Sequence, residues 1–190
     1  MKYTTVENIE NFILTEVDIS FEEQVESWIE VVSQYINNYT GRVFIADTVA
    51  TERLYQGKTT YELFIDDAIS VTKVEVDDGY DGDSYTEETD YKLLPFNYAA
   101  LGVPITRIKR SEGWHGGIHK ITGKWGYSVA VPDDIAHAAT ILTVGIMNRG
   151  RKIGKIKSES IGNYQVSYED DKEGLDEALD ILNRYKKIVI

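Results

Sequence analysis

The spacing of hydrophobic residues changes twice along this chain, and the two changes limit the folds available to it. Up to about residue 42, apolar residues recur at three- and four-residue steps, the period of an amphipathic helix. From residue 43 the chain breaks into short runs rich in Val, Ile, Thr and aromatic residues, and helical spacing returns at Pro132. The pattern predicts an α+β fold, in which a helical core formed by residues 1–42 and 131–190 contains an inserted antiparallel β domain at 43–130.

Two N-terminal helices are predicted from capping signals. Thr4 and Glu7 form a candidate capping box for a helix over about 5–14, and Ser20 and Glu23 form one for a longer helix that ends at Gly41. The polar face of the longer helix has three like charges at four-residue spacing: Glu22, Glu26 and Glu30. The simplest interpretation is a solvated face, and the alternatives are the wall of an acidic channel or a contact with a basic partner.

The inserted β domain is predicted from runs with strand composition. Turn signals such as Gln56-Gly57 and Glu112-Gly113 separate them. The six predicted strands are 49–55, 59–65, 69–76, 90–94, 105–109 and 118–127.

A third helix is predicted from Pro132 to about Asn148. Proline suits the first turn of a helix, and Asp133 and Asp134 complement its positive end. This helix has little polar surface, so we expect its sides to be covered, partly by a neighbouring subunit. The residues predicted to lie between the subunit's core and that neighbour are Ile135, Ala139, Leu142 and Ile146.

The remainder of the chain is predicted to form an extended arm and a terminal helix. Residues 149–172 have no clear period and include five basic residues between 149 and 157, which favours contact with protein, with phosphate contact as the alternative. In the final helix, Leu175, Ala178, Leu179, Leu182 and Tyr185 share one face. The apolar end that follows, Ile188-Val189-Ile190, is suited to an apolar groove on a partner.

Charge and composition exclude several classes of function. The chain of 190 residues has a formal net charge of −12, which disfavours a general DNA-coating role because phosphate would be repelled. The absence of cysteine excludes disulfides and thiolate metal sites. No run approaches the roughly 20 apolar residues of a membrane span, so no membrane partner is expected.

The histidines and the acidic loop are the candidates for chemistry. His115 and His119 would lie about 13 Å apart on a straight strand, so they could share a metal only if Gly116 and Gly117 bend the chain. The segment from Asp77 to Asp90 is rich in carboxylates but does not match the EF-hand spacing, and a solvated hairpin tip is favoured over calcium. Two alternatives stay open: a small metal- or ligand-dependent enzyme built on the β unit, and a calcium-stabilised adhesion module.

Several segments, in their order and spacing, resemble one known family. They are Tyr-Ile-Asn-Asn-Tyr-Thr-Gly-Arg-Val-Phe at 35–44, Lys-Trp-Gly-Tyr at 124–127, Val-Pro-Asp-Asp-Ile-Ala-His-Ala-Ala at 131–139 and Ser-Glu-Ser-Ile-Gly-Asn-Tyr-Gln-Val-Ser-Tyr at 158–168. Together they resemble the head–tail connector, or adaptor, proteins of tailed double-stranded DNA bacteriophages and prophages. The large β insertion departs from the compact, mostly helical members of that family.

The resemblance implies a structural virion protein and not an enzyme, with no cofactor and no metal. Its subunits would form a homo-oligomeric ring of about twelve copies at the head–tail interface, after assembly in the host cytoplasm. The ring would lie between the portal protein and a stopper or tail-completion protein, and DNA would pass through it without sequence-specific binding.

Three surfaces of this chain are assigned roles on that basis. The portal would be bound by Leu179, Leu182, Tyr185, Ile188, Val189 and Ile190. The downstream protein would be contacted by the arm residues Lys155, Lys157, Ile161, Tyr164, Val166 and Tyr168. The acidic stripe Glu22, Glu26 and Glu30 would face the lumen.

Overall fold

The computed structural model describes residues 1–77, 79, 82, 84–153 and 172–187. It confirms the α+β class, since helices and an antiparallel sheet both occur. The chain forms two compact units: unit 1 comprises Met1–Arg42 with the described part of Val131–Ile190, and unit 2 comprises Val43–Ala130. The elements are α1 (Val6–Ile13), α2 (Glu22–Thr40), β1 (Thr51–Gln56), β2 (Thr60–Asp77), β3 (Tyr85–Glu87), β4 (Tyr91–Leu94), α3 (Tyr98–Leu101), β5 (Ile105–Trp114), β6 (Ile118–Trp125), α4 (Asp133–Ile153) and α5 (Lys172–Tyr185).

The first helix is capped one residue later than predicted. Thr5 is the N-cap, and its hydroxyl accepts a hydrogen bond from the Asn8 amide at 3.2 Å. Thr4 is instead buried, with its hydroxyl 2.7 Å from the hydroxyl of Thr140 on α4. Because Thr140 already donates to the Ala136 carbonyl, Thr4 is the donor of this pair. The prediction was wrong because either threonine fits the local pattern, and only α4 distinguishes them.

The capping box predicted for α2 is also wrong, whereas its end is confirmed. Phe21 occupies the N-cap position without a side-chain bond, and the Ser20 hydroxyl donates to Asp18 at 2.6 Å. Gly41 ends the helix in the left-handed conformation at φ +69°, which glycine adopts without a Cβ penalty.

The core of unit 1 surrounds α4. Ile9 of α1 and Val25 and Ile29 of α2 pack in one buried cluster with Met147 of α4. On α5, Ala178 and Leu182 are fully buried, and α5 packs against α4. The helix α4 extends to Ile153, so the predicted arm begins too early at 149. Within the described residues, no helix has the length and apolar character needed to cross a membrane.

The sheet of unit 2 has the order β1-β6-β2-β5-β4, with β3 paired to β2. The predicted strands 59–65 and 69–76 form one strand, β2, whose pairing shifts register between Phe64 and Ala68. Its first half pairs with β5 and its second half with β6 and β3. The sequence suggested two strands because the acidic pair Asp66-Asp67 interrupts the hydrophobic pattern at this irregularity.

Two tryptophans anchor the core of unit 2. The indole of Trp114 donates to the Ile108 carbonyl at 3.0 Å, and that of Trp125 donates to the Thr51 carbonyl at 2.9 Å. Both rings are almost completely buried, and these bonds satisfy their only polar group. Around them pack Leu63, Ile65, Ala68, Val74, Val76, Ile105, Ile108 and Ile121.

Gly126 joins the beginning and the end of unit 2. Its φ is +139°, and a Cβ placed there would lie 2.4 Å from the Ala46 Cα. The surrounding backbone is hydrogen-bonded: Asp47 donates to the Trp125 carbonyl at 2.8 Å, and Tyr127 donates to the Val43 carbonyl at 2.8 Å. No side chain fits this position without moving backbone.

We expect Gly126→Ala to lower the free energy of unfolding by about 3 kcal/mol, because backbone strain and overpacking act together. Gly116→Ala is the matched control, since a Cβ there has open space and its φ is ordinary. Urea unfolding of the two variants measures the difference. Equal midpoints would show that Gly126 is not needed for the close approach.

Candidate assembly surfaces and the histidine cluster

The four residues predicted at a subunit contact fall into two groups. Ile135 and Ala139 are completely buried within unit 1, so they support the helix from inside and present no surface. Leu142 and Ile146 lie further along α4 and are only partly buried. A contact with another molecule on this helix would therefore use its C-terminal half.

That half of α4 borders an open apolar groove, which we call the α4 groove. Its volume is about 500 Å³. Leu142, Gly145 and Ile146 form part of its floor, and Arg149 is exposed at its margin. The other lining residues are Phe12, Val31, Val32, Tyr35, Ile141, Val144, Asn148, Gly174, Leu175 and Glu177.

Phe12, Val31 and Tyr35 of this groove were missed as surface residues by sequence reasoning. Tyr35 belongs to the apolar repeat of α2, but it is 46% exposed and stacks on Tyr39. The helical period shows which residues can share a face, but it does not tell whether a neighbouring helix covers the margin of that face.

The acidic stripe of α2 is exposed, as a solvated face would be. Lys2 lies between two of its members, 3.2 Å from Glu26 and 3.7 Å from Glu30. Exposed pairs of this kind contribute little stability, and Glu22 is exposed one turn earlier. The assignment of this stripe to a lumen stays a prediction.

The apolar residues predicted to share one face of the terminal helix α5 differ in burial. Leu182 is completely buried and cannot contact a partner directly, whereas Leu179 is partly buried. The hydroxyl of Tyr185 donates to the Asp134 carboxylate at 2.8 Å, which ties α5 to the first turn of α4. Tyr185 is therefore partly committed to its own subunit.

The end of α5 is fastened to the end of α2. The Arg42 Nε donates to the Tyr185 carbonyl at 2.6 Å, and the Lys187 amide donates to the Thr40 carbonyl at 2.7 Å. The Lys186 ammonium lies 4.8 Å from the centre of the Tyr39 ring. The predicted portal residues Ile188, Val189 and Ile190 lie outside the described residues, as do the predicted arm residues Lys155, Lys157, Ile161, Tyr164, Val166 and Tyr168.

In unit 2, the glycines do bend the chain at the two histidines. The rings of His115 and His119 have their centres 4.7 Å apart, far closer than the 13 Å expected for a straight strand. His119 is completely buried against Trp114. A Cβ on Gly57 would lie 1.7 Å from the His115 carbonyl oxygen, so this close packing requires glycine.

Both ring nitrogens of His119 are engaged. The Asp77 amide donates to Nδ1 at 3.4 Å, and Nε2 lies 3.2 Å from the His115 carbonyl. A carbonyl can only accept, so Nε2 holds the proton and the ring is neutral. The arrangement leaves His119 no nitrogen for a metal, and the described residues contain no group of three or more suitable ligands.

The acidic segment is not a simple solvated tip. Asp77 is completely buried, and one of its carboxylate oxygens accepts from the Gly82 and Ile118 amides, each at 3.2 Å. Glu88 pairs with the buried Arg110, whose Nε donates to it at 2.7 Å. Among the described residues, Asp77 Oδ1 is a buried oxygen that accepts no hydrogen bond. The prediction of solvation was wrong for Asp77, which is completely buried, whereas Glu88 is partly buried and pairs with Arg110 of β5.

The pKa of His119 is lowered, chiefly by burial, and further by electrostatic interaction with His115 and Arg110. The His115 carbonyl and the Asp77 carboxylate act in the opposite direction. The unfolded chain therefore binds a proton more readily, so stability is complete above the ordinary pKa and decreases as pH falls below about 6.5.

We expect His119→Gln to reduce this loss of stability between pH 7.5 and 5, with a slope change of at most about 1.4 kcal/mol per pH unit, the value for one proton. Urea unfolding across this range measures it. The control is His137→Gln, since His137 is more exposed and lies 3.5 Å from Glu177. An unchanged pH profile in His119→Gln would show that this ring is not the titrating group.

Comparison with known proteins finds no matching family model and no matching curated protein. Solved structures with the same fold do exist. One is a chain in the neck of an empty GTA particle computed with C6 symmetry: TM-score 0.59, 12% identity, covering 97% of this chain and 90% of that one. A chain in the neck of a native GTA particle computed with C12 symmetry has a TM-score of 0.54 at 12% identity, over 90% of this chain and 86% of that one.

A third similar chain belongs to the virion of a native gene transfer agent (GTA) particle. Its TM-score is 0.51 at 14% identity, and the match covers 89% of this chain and 79% of that one. At such identities the likeness shows a shared fold. It extends over nearly the whole chain, so it includes both the helical unit and the inserted β unit.

Proposed function

We propose that this protein is a non-enzymatic structural component of a phage-like particle, in which it forms a homo-oligomeric ring between the portal vertex and the next head-completion or tail protein. The observation that supports this most strongly is the fold shared over 97% of the chain with a GTA neck protein. Particle necks were computed with C6 and C12 symmetry, which is compatible with a ring of about twelve copies.

The surface of unit 1 supports assembly. A protein that worked alone would rarely leave an apolar groove with exposed aromatic margins, because burying such a surface is favourable. In a closed ring each subunit contacts two neighbours through different surfaces. The α4 groove, with Leu142 and Ile146 on its floor, is a suitable surface for one of those contacts.

The charge of the chain supports a role as a DNA conduit. A net charge of −12 per subunit, multiplied around a ring, would keep DNA phosphate from adhering to the wall. The exposed stripe of Glu22, Glu26 and Glu30 is our candidate for the lumen-facing surface. DNA would then pass through without sequence-specific binding.

Two further contacts complete the proposal. The C-terminal end, with Leu179 and Ile188–Ile190, would bind the portal protein. The arm from Lys155 to Tyr168 would contact the stopper or tail-completion protein. The finished ring would belong to the virion, after assembly in the host cytoplasm.

We expect Leu142→Asp to fold but to lose ring formation with the cognate portal. A partly exposed position tolerates a charge in the free subunit, whereas an unpaired charge buried in a contact costs several kcal/mol. Val129→Asp is the control, because Val129 is 79% exposed and lies in unit 2. Circular dichroism tests folding and electron microscopy counts rings. Wild-type numbers of rings from a folded Leu142→Asp protein would contradict the proposed contact.

We expect truncation after Lys187 to abolish portal binding while leaving the melting temperature unchanged. The hydrogen bonds of Tyr185 and Lys187 to Arg42 and Thr40 remain in the truncated chain. Each aliphatic side chain lost from a buried contact would cost about 1.5 to 3 kcal/mol. Thermal melting and co-sedimentation with portal rings measure the two effects. Retained binding would overturn the portal assignment, and lost folding would assign the end to the subunit's own core.

A further inference from the structure

The connection between α1 and α2 exposes aliphatic side chains to an unusual degree. We call residues 14–21 the α1–α2 loop. Leu14 is 89% exposed and Ile19 is 84% exposed. Exposed single apolar residues are common, but two aliphatic residues within one short loop form a surface that favours burial.

The α1–α2 loop is held in place by its own hydrogen bonds. The Val17 amide donates to the Glu10 carboxylate at 2.8 Å, and Val17 itself is buried. The Phe21 amide donates to the Asp18 carbonyl at 2.7 Å. Leu14 and Ile19 are therefore presented by an ordered backbone, which reduces the entropy lost when they bind.

The loop and the α4 groove have complementary chemistry. The loop is aliphatic and acidic, with Glu16 and Asp18 beside its exposed residues. Hydrogen bonds from Ser20 lower the pKa of Asp18, so its carboxylate is charged at neutral pH. The groove is apolar, and its two charged lining residues are the exposed Arg149 and Glu177, of which Glu177 lies 3.5 Å from His137.

Loop and groove are separate surfaces of one unit. None of residues 14–21 lines the groove, and Leu14 and Ile19 are too exposed to occupy the groove of their own subunit. A contact between these surfaces in two molecules is heterologous, and heterologous contacts produce rings when the rotation closes.

We propose that the α1–α2 loop of one copy inserts Leu14 and Ile19 into the α4 groove of the next copy, with Glu16 and Asp18 facing Arg149. This inference rests on the proposed ring and names the surfaces that form it. The occupant of the groove is thus a second copy of this chain.

The absence of cysteine allows a direct test by disulfide trapping. Two single variants, Ile19→Cys and Leu142→Cys, are mixed at high concentration, with and without the cognate portal, and oxidised. One variant is tagged so that mixed dimers differ in mass. We expect the mixed disulfide to form at least tenfold more than in the control mixture of Val129→Cys with Leu142→Cys.

A second arm of the experiment tests the charges. Arg149→Glu on the Leu142→Cys chain should reduce trapping several-fold, and Glu16→Lys with Asp18→Lys on the Ile19→Cys chain should restore it. Restoration by opposite charges would not follow from a general loss of folding. No effect of the charge exchange would overturn the pairing of the loop acids with Arg149.

Other occupants of the groove would give different products. Dominant disulfide dimers of the Ile19→Cys variant with itself would indicate an isologous contact. An intramolecular disulfide in a Leu142→Cys, Tyr164→Cys variant would indicate that the chain's own segment occupies the groove. Either result overturns the inference. If rings form on the portal without the mixed disulfide, the inference is wrong and the ring proposal stands. If neither rings nor disulfide form, both are wrong.

Discussion

The apolar character of α4 is the constraint on which unit 1 depends. Ile135, Ala138 and Ala139 are completely buried, so helices must cover this segment on several sides. α1, α2 and α5 all pack on it, and the Thr4–Thr140 hydroxyl pair joins it to the start of the chain. Along the C-terminal half of α4, the described helices of unit 1 do not cover every side, and Leu142 and Ile146 stay partly exposed. The α4 groove is the result, and it is the surface of this unit that we propose for assembly.

Unit 2 depends on a different device, the irregular pairing of β2. Because β2 shifts register between Phe64 and Ala68, one strand pairs with β5 and then with β6. The end of β2 places Asp77 under the β5–β6 turn, where its amide fixes the neutral tautomer of His119. An aspartate beside a histidine could form a catalytic pair, but here both side chains are hydrogen-bonded to backbone groups and stabilise the fold. The same cluster explains the pH sensitivity expected of this unit.

The likeness to GTA neck proteins illustrates how a fold persists when identity is only 12%. Helical spacing, alternating strands and a few glycines are compatible with many sequences, whereas individual surface residues are not needed for the fold. The likeness therefore shows a shared architecture, and the contacts that make this chain specific must come from its own surfaces. The acidic α1–α2 loop and the groove margin at Arg149 are such surfaces, since their exposed charges follow from this chain's own sequence and structure.

The sequence by itself determined the α+β class, the end of α2 at Gly41 and the existence of an apolar middle helix. These features depend on local period and on conformations that one residue type prefers, so neighbours in sequence are enough to predict them. Only the tertiary structure decided that Thr5 and not Thr4 caps α1, that β2 is one strand, that Asp77 is buried and that Glu88 pairs with Arg110. It also separated buried Ile135 and Ala139 from partly exposed Leu142 and Ile146. Each of these outcomes depends on residues distant in sequence, because burial and hydrogen-bond partners are set by which elements pack together and not by the period of any one of them.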